Sequence, residues 1–429
     1  MRILWLKSDL LPPLDTGGKL RTWHLLRHLA RRHQITYLAF AEPGRPAADV
    51  DLMRTVASRV ETIPRREPRK GTWRFYVDAA LHLVDPLPYA VGKYRSGAYR
   101  RRLRQLLAEE SFDLVVCDFL FPAVNLPETL PCPAVIFTHN VESEIWRRHA
   151  STQSGVIAKV LYGAQHRRMH QYEARTLRRF DAVLAVSDAD RETFTRLYPD
   201  AIRGPVHIVP TGVDTDFFKP SGSPPRATQL VFTGSMDWLP NEDAMRYFCR
   251  SILPLVRAEE PEVRLSIVGR APTPAVQSLA AESGVEVTGR VDDVRPFMDQ
   301  AAVYIVPLRI GGGTRLKIFE AMAMGKAVVS TTVGAEGLPV VNGEHLLLAD
   351  EPRSFARAIV RLIRDQDQRE RIGEAARGLV LARYDWSAVA GALEEPLMRI
   401  ALGQARGDRA HSLVSGAAPV EAGASSQVS

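Results

Sequence analysis

Residues 301–325 read AAVYIVPLRIGGGTRLKIFEAMAMG. The run AAVYIVPL is continuously apolar, the pattern of a parallel strand buried on both faces rather than of an alternating, half-exposed one. Gly311, Gly312 and Gly313 follow, and a backbone without Cβ atoms lets a ligand come close. A helix is then expected over 315–324. Its first turn offers unpaired N–H groups at the positive end of the dipole. Strand, glycine turn and helix start, in that order, make an anion site suited to phosphate. Arg315 and Lys317 add two cations in the first turn, where they oppose the dipole. Local helix stability gives no reason for them; a bound diphosphate does. Glu320, one turn further on, is placed to accept paired hydrogen bonds from a ribose.

The same alternation of short apolar strand and longer helix extends in both directions. Strands are expected over 3–6, 35–40, 114–117, 134–138, 182–186 and 206–209, with helices over 18–32, 99–109, 142–178 and 188–197. The pattern restarts with strands over 230–233, 265–268, 285–288, 303–306, 327–330 and 345–348, and helices over 241–256, 274–282, 294–300, 315–324 and 352–364. Each half is a βαβ succession, which predicts an α/β fold with a doubly wound parallel sheet. The expected organisation is an N-terminal Rossmann-like domain over 1–209, a Pro- and Gly-rich linker over 210–229 and a second Rossmann-like domain over 230–383. An amphipathic helix over 384–402 and a Gly-, Ala- and Ser-rich tail over 403–429, expected to be disordered, complete the chain. Open α/β sheets bind ligands at the carboxyl ends of their strands, so two such domains facing a central cleft suit an enzyme that joins two substrates.

Composition narrows the class. The chain has 429 residues, 45% hydrophobic and 24% charged, ordinary for a globular protein and unlike disordered or disulfide-scaffold sequences. Cys117, Cys132 and Cys249 form no CxxC pair, which gives neither a zinc ribbon nor a redox pair. No apolar run reaches the ~18 residues of a membrane span. Lys7 and Asp9 interrupt the N-terminal apolar stretch, so a signal peptide is not expected and a cytoplasmic location is. The net charge of +7 is uneven: 32 Lys and Arg face 22 Asp and Glu up to Pro210, against 24 and 27 beyond. The clusters Arg65, Arg66, Arg69, Lys70 and Arg100, Arg101, Arg102, Arg104 are either solvated helix faces or a surface for an anionic membrane or acceptor. Nucleic acid is not the expected partner, because no helix-turn-helix, zinc-finger or aromatic RNA-binding signature accompanies them.

The run GGGTRLKIFEAMAMGKAVVSTTVGAEGL (residues 311–338) resembles the nucleotide-sugar signature of family 4 glycosyltransferases, which are retaining enzymes of the GT-B fold. TGSMDWLPNEDAMRYF (233–248), PPLDTGGKLRTWHLLRHLARRH (12–33), FTHNVES (137–143), VSDADRE and VPTGVDTDFF match the family pattern in order, and the resemblance covers about residues 1–400. It implies roles by position. Glu320 matches the second Glu of the family's paired-glutamate motif, which binds the ribose hydroxyls; the first Glu falls at Gly312. Backbone amides of Gly312, Gly313 and Thr314, or another side chain, must then hold the donor sugar. Arg315 and Lys317 are assigned to the diphosphate. Arg290 and Val291 lie where the family's backbone meets the base, and Gly234 and Ser235 face the diphosphate. In the first half, Gly17 and Gly18 open a helix near the diphosphate and acceptor, or simply make a tight turn. His139 matches a histidine that contacts the transferred sugar. Arg315, Lys317 and His139 are the candidate catalytic residues.

The expected reaction is retaining transfer of a sugar from a nucleotide diphosphate-sugar to a hydroxyl of a sugar or lipid-linked acceptor, in polysaccharide or glycolipid assembly. The nucleotide-sugar is a co-substrate; no separate cofactor and no metal site is expected. Asp188/Asp190, Asp214/Asp216 and Asp365/Asp367 form DxD pairs, but acids at a helix start suit the dipole without a metal. A nucleotide-sugar epimerase of the same fold and a non-catalytic nucleotide-sugar-binding protein are the alternatives. A dinucleotide dehydrogenase is disfavoured, since no GxGxxG follows the opening strand of either half.

Overall fold

The computed structural model describes residues 1–14, 16–66, 85–152, 155–310 and 316–403. Two compact units emerge: Met1–Val209 together with residues from Gly391 onward, and Pro210–Ala390. The first holds a seven-stranded sheet built from β1 (Arg2–Leu6), β2 (Gln34–Ala41), β3 (Arg59–Pro64), β4 (Leu114–Asp118), β5 (Ala134–Phe137), β6 (Ala182–Ala185) and β7 (Val206–Ile208). Every pairing is parallel, in the order β3-β2-β1-β4-β5-β6-β7. The second holds β8 (Arg226–Thr233), β9 (Arg264–Val268), β10 (Val285–Gly289), β11 (Ala301–Val306), β12 (Ala327–Ser330) and β13 (Leu347–Leu348), again all parallel, in the order β10-β9-β8-β11-β12-β13. The central strands LVVCD of β4 and AAVYIV of β11 are buried at every residue, because helices cover both faces of a parallel sheet.

The strand order reverses beside β1 in the first sheet and beside β8 in the second. At such a point neighbouring connections leave in opposite directions and open a crevice at the carboxyl ends. Lys7 follows β1 and Asp118 ends β4. Gly234 follows β8, and the stretch 307–310 follows β11.

The helix Pro352–Arg364 shows why the segments fold as they do. Phe355, Ala356, Ile359, Val360, Leu362 and Ile363 are buried, while Arg353, Arg357, Arg361 and Arg364 are exposed. That is a 3.6-residue stripe laid on the sheet.

Several boundaries differ from the sequence expectation for local reasons. The helix expected over 142–178 is two helices, Glu142–Thr152 and Val156–Leu177, and Gly155 before the second is extended; Ser151 and Thr152, polar and weakly helical, end the first. The helix expected over 241–256 is Leu239–Tyr247, then one wide turn over Phe248–Ile252, then Leu253–Glu259. Pro254 lacks the N–H that would continue the ladder. β3 escaped the reading because this edge strand is mixed in polarity and buries only Ile63 fully. The helix Gln366–Arg383 was also missed. β8 starts at Arg226, inside the stretch read as linker, and the last helix is Trp386–Ala401, whose residues from Gly391 belong to the first unit. The tail over 404–429 lies outside the described residues.

Gly373, inside Gln366–Arg383, lies against Gly325: a Cβ there would come 2.1 Å from the Gly325 carbonyl oxygen. Gly378 in the same helix is exposed, and a Cβ would meet nothing within 4 Å. Gly373→Ala should therefore destabilise the protein by about 1–3 kcal/mol, and Gly378→Ala should stabilise it by about 0.5–1 kcal/mol. Urea denaturation of the two variants tests this; equal shifts would contradict the packing.

Candidate functional site

In the first unit the crevice beside β1 and β4 is organised around Asp118, which has no exposed surface. Its Oδ1 accepts from Lys7 Nζ at 2.8 Å and lies 2.9 Å from His139 Nε2. Its Oδ2 accepts from Trp5 Nε1 at 2.9 Å and Thr22 Oγ1 at 2.7 Å. Burial would raise this carboxyl, but Lys7 and His139 outweigh it and hold it well below the usual range. The His139 ring keeps some access to solvent, and burial, helped by Lys7, brings it down to about 4. Gly17 and Gly18 open the helix Gly17–Leu29. A Cβ on Gly18 would sit 3.3 Å from His139 Nδ1, a tight contact, so glycine here lets the imidazole lie close to the helix start. Arg21, on the same helix, is buried, donates to the Val209 carbonyl and lies over the Phe137 ring.

In the second unit the crevice beside β8 and β11 gathers Gly234, Ser235, Asn241 and Lys317. Lys317 Nζ donates to Asn241 Oδ1 at 2.7 Å and stands 4.1 Å from the Phe232 ring centroid. Asn241 Nδ2 in turn donates to the Ser235 carbonyl at 2.8 Å. A Cβ at Gly234 would come 2.6 Å from Asn241 Nδ2 and 2.8 Å from Lys317 Nζ, so the turn after β8 requires glycine if the ammonium is to lie there. Ser235 Oγ donates to Asp237 and accepts from Arg270 Nε. Glu320, on the helix Leu316–Ala323, is half-buried; burial pushes its carboxyl up to about 7 against the pull of Lys317. Among the described residues its carboxyl makes no hydrogen bond. Arg290 and Val291 follow β10; Arg290 is exposed and Val291 packs partly against the core.

The structure thus brings Gly234, Ser235, Lys317 and Glu320 to one end of the second sheet, and Gly17, Gly18 and His139 to one end of the first. Gly312, Gly313, Thr314 and Arg315 lie outside the described residues. Lys7, Trp5, Thr22, Asp118 and Asn241 were not singled out in the sequence. Three of the DxD acids make local hydrogen bonds: Asp190 accepts from Ser187 Oγ, Asp214 from the Phe217 N–H and Asp365 from the Gln368 N–H. Among the described residues no three His, Cys, Asp or Glu side chains gather as a metal site, and no helix is long and apolar enough to cross a membrane. Part of the basic cluster is neutralised, since Arg102 pairs with Glu61 and Glu109, while Arg101 and Arg104 are exposed. Arg69 and Lys70 lie outside the described residues.

Two doubly wound parallel sheets, each with its crevice at the strand carboxyl ends, define a GT-B fold. Sucrose-phosphate synthase from Thermosynechococcus elongatus superposes with a TM-score of 0.63 at 17% identity, covering 93% of this chain and 98% of that one. HepE of Anabaena, crystallised with UDP, gives 0.63 at 16% identity over 93% and 100%. The profile described as Glycosyltransferase Family 4 matches residues 16–217, and that described as Glycosyl transferases group 1 matches residues 227–365. The chain belongs to the family 4, group 1 glycosyltransferases. A phosphatidyl-myo-inositol mannosyltransferase of Mycobacterium tuberculosis is 28% identical over 358 residues, 79% of this chain and 88% of that protein.

The raised Glu320 carboxyl has a stability consequence. The folded protein keeps a proton that the unfolded chain loses near 4.5, so stability should fall as pH rises from about 4.5 to about 7, by on the order of 1–3 kcal/mol. Glu320→Gln should flatten that part of the pH profile of urea midpoints. An unchanged profile would show that this carboxyl titrates normally.

Proposed function

We propose that the protein is a retaining glycosyltransferase that moves a sugar from a nucleotide diphosphate-sugar to an acceptor hydroxyl. The observation that carries the reading is the Lys317 ammonium, drawn to the turn after β8 by Asn241 and lying beside a helix start at the strand-order reversal. A cation, a glycine turn and helix N–H groups on one crevice suit a diphosphate. Gly234, Ser235, Gly312, Gly313 and Thr314 contribute backbone, and Arg315 supplies a second cation. Glu320 receives the ribose hydroxyls, and Arg290 and Val291 border the base. HepE, of the same fold, was solved with UDP and with UDP-glucose, which supports a uridine or similar nucleotide as the donor's carrier. In the first unit His139, with Gly17 and Gly18, meets the transferred sugar and the acceptor.

The chemistry asked of the site is departure of the diphosphate from an oxocarbenium-like sugar. Arg315, Lys317 and helix N–H groups stabilise charge growing on the leaving oxygen. The acceptor hydroxyl attacks the face the diphosphate leaves, so configuration is retained, and the leaving phosphate takes the acceptor proton. The bond from anomeric carbon to acceptor oxygen forms as that to the diphosphate oxygen breaks. The two cations and the helix dipole perform the neutralisation that a divalent metal performs elsewhere, so the reaction is metal-independent. Polysaccharide or glycolipid assembly at the cytoplasmic membrane face fits the exposed Arg101 and Arg104 and the mannosyltransferase relative.

Lys317→Ala and Arg315→Ala should each lower transfer by on the order of 10²-fold while leaving the urea midpoint near that of the parent. Transfer by the parent should survive EDTA. These rates are read with a panel of nucleotide-sugars and isolated lipid-linked acceptors. Near-normal rates in both variants would remove the diphosphate assignment, and loss of activity in EDTA would remove metal independence.

A further inference from the structure

The network under His139 determines more than where the ring lies. Asp118 receives four donors on two oxygens and has no contact with solvent. Lys7, itself buried, cancels its charge, and also donates to Thr22 Oγ1 at 2.8 Å. A carboxylate kept ionised can only accept, so the nitrogen 2.9 Å from it, His139 Nε2, carries a proton. A second proton on Nδ1 would add a third cationic group beside Lys7 and Arg21 in a buried setting, and both of those groups oppose it. Nδ1 is therefore a bare acceptor at neutral pH. It faces the Gly18 end of the helix, and no described residue donates to it.

The ring is also clamped. Phe119, directly after Asp118, has φ of +86°, a left-handed backbone that a phenylalanine adopts only under constraint. Its N–H donates to the Phe137 carbonyl at 2.8 Å. The turn sets the Phe119 ring edge-on to His139, with centroids 5.1 Å apart and planes at 87°. Phe137 packs on His139 as well, at 5.3 Å. Strained residues persist where the surroundings over-determine them, and such sites are often functional.

We propose that Asp118, neutralised by Lys7 and backed by the strained Phe119, is a positioning residue that locks His139 in the Nε2–H form, so that the substrate group meeting Nδ1 is a hydrogen-bond donor, a hydroxyl, and not a phosphate or carboxylate oxygen. The inference rests on the reading of His139 as a substrate contact, but the tautomer is a property of the protein alone.

The test is nitrogen NMR of histidine-labelled full-length protein, with the His139 signal assigned by its loss in His139→Gln. The parent should show a neutral ring protonated on Nε2, unchanged from about pH 8 to about pH 5. In Asp118→Asn the amide can donate to Nε2 as well as accept from it, so the ring should shift towards the Nδ1–H form. Transfer in that variant should fall roughly 10-fold or more, with nucleotide diphosphate affinity unchanged. A parent ring protonated on Nδ1, or titrating near pH 6.5, would overturn the proposal, as would an Asn variant with an unchanged tautomer. If Asp118→Asn does not fold, Phe119→Gly, which relieves the left-handed backbone and removes the clamp, must broaden or shift the His139 signal; an unmoved signal there counts against the device. A shifted tautomer with full transfer would leave the lock standing and remove His139 from the substrate site.

Discussion

A carboxylate with no access to water must be matched donor for donor, and in this protein that demand falls on Asp118. Removing one partner of such a buried ion pair typically costs about 3–5 kcal/mol. The residues that satisfy it come from β1, the turn after β1, the first helix and the stretch following β5. The same four bonds therefore close the crevice of the first sheet and orient the histidine at its mouth. Fold and site share one electrostatic centre, so a change at Lys7 or Asp118 acts on both.

The second crevice uses the opposite sign. There the group held in place is an ammonium, tied to an amide oxygen and lying on an aromatic face. Asn241 is neutral, so it orients Lys317 without cancelling its charge, unlike the carboxylate that meets Lys7. The two lysines thus meet different partners, a carboxylate in the first unit and an amide oxygen in the second. Glu320, with a carboxyl raised by burial, makes no hydrogen bond among the described residues.

Much of this was legible in the sequence. Continuous apolar runs marked the central strands, and the glycines after β11 marked the end of that strand as a candidate site. Lys317 stood out by its adverse place in a helix's first turn, and His139 by its match to a histidine of the family pattern. The Asp118 network was not legible, because Lys7 and Asp118 are 111 residues apart in the chain and meet only where the strand order reverses. Trp5 and Thr22 look like ordinary core and helix residues until the sheet brings them to that carboxylate. Asn241 was hidden for a similar reason: a polar residue in an early helical turn reads as a local cap, and its tie to Lys317 spans 76 residues. The edge strand β3 and the wide turn before Leu253 escaped because periodicity alone carries no information on edges or on prolines within a helix.

The measurement that bears most directly on the account is a crystal structure of the protein soaked with UDP, GDP or ADP. The two phosphates should lie between the turn after β8 and the start of Leu316–Ala323, within hydrogen-bond reach of the Lys317 ammonium, with the ribose at Glu320. A nucleotide bound elsewhere, or phosphates lying away from Lys317, would contradict it.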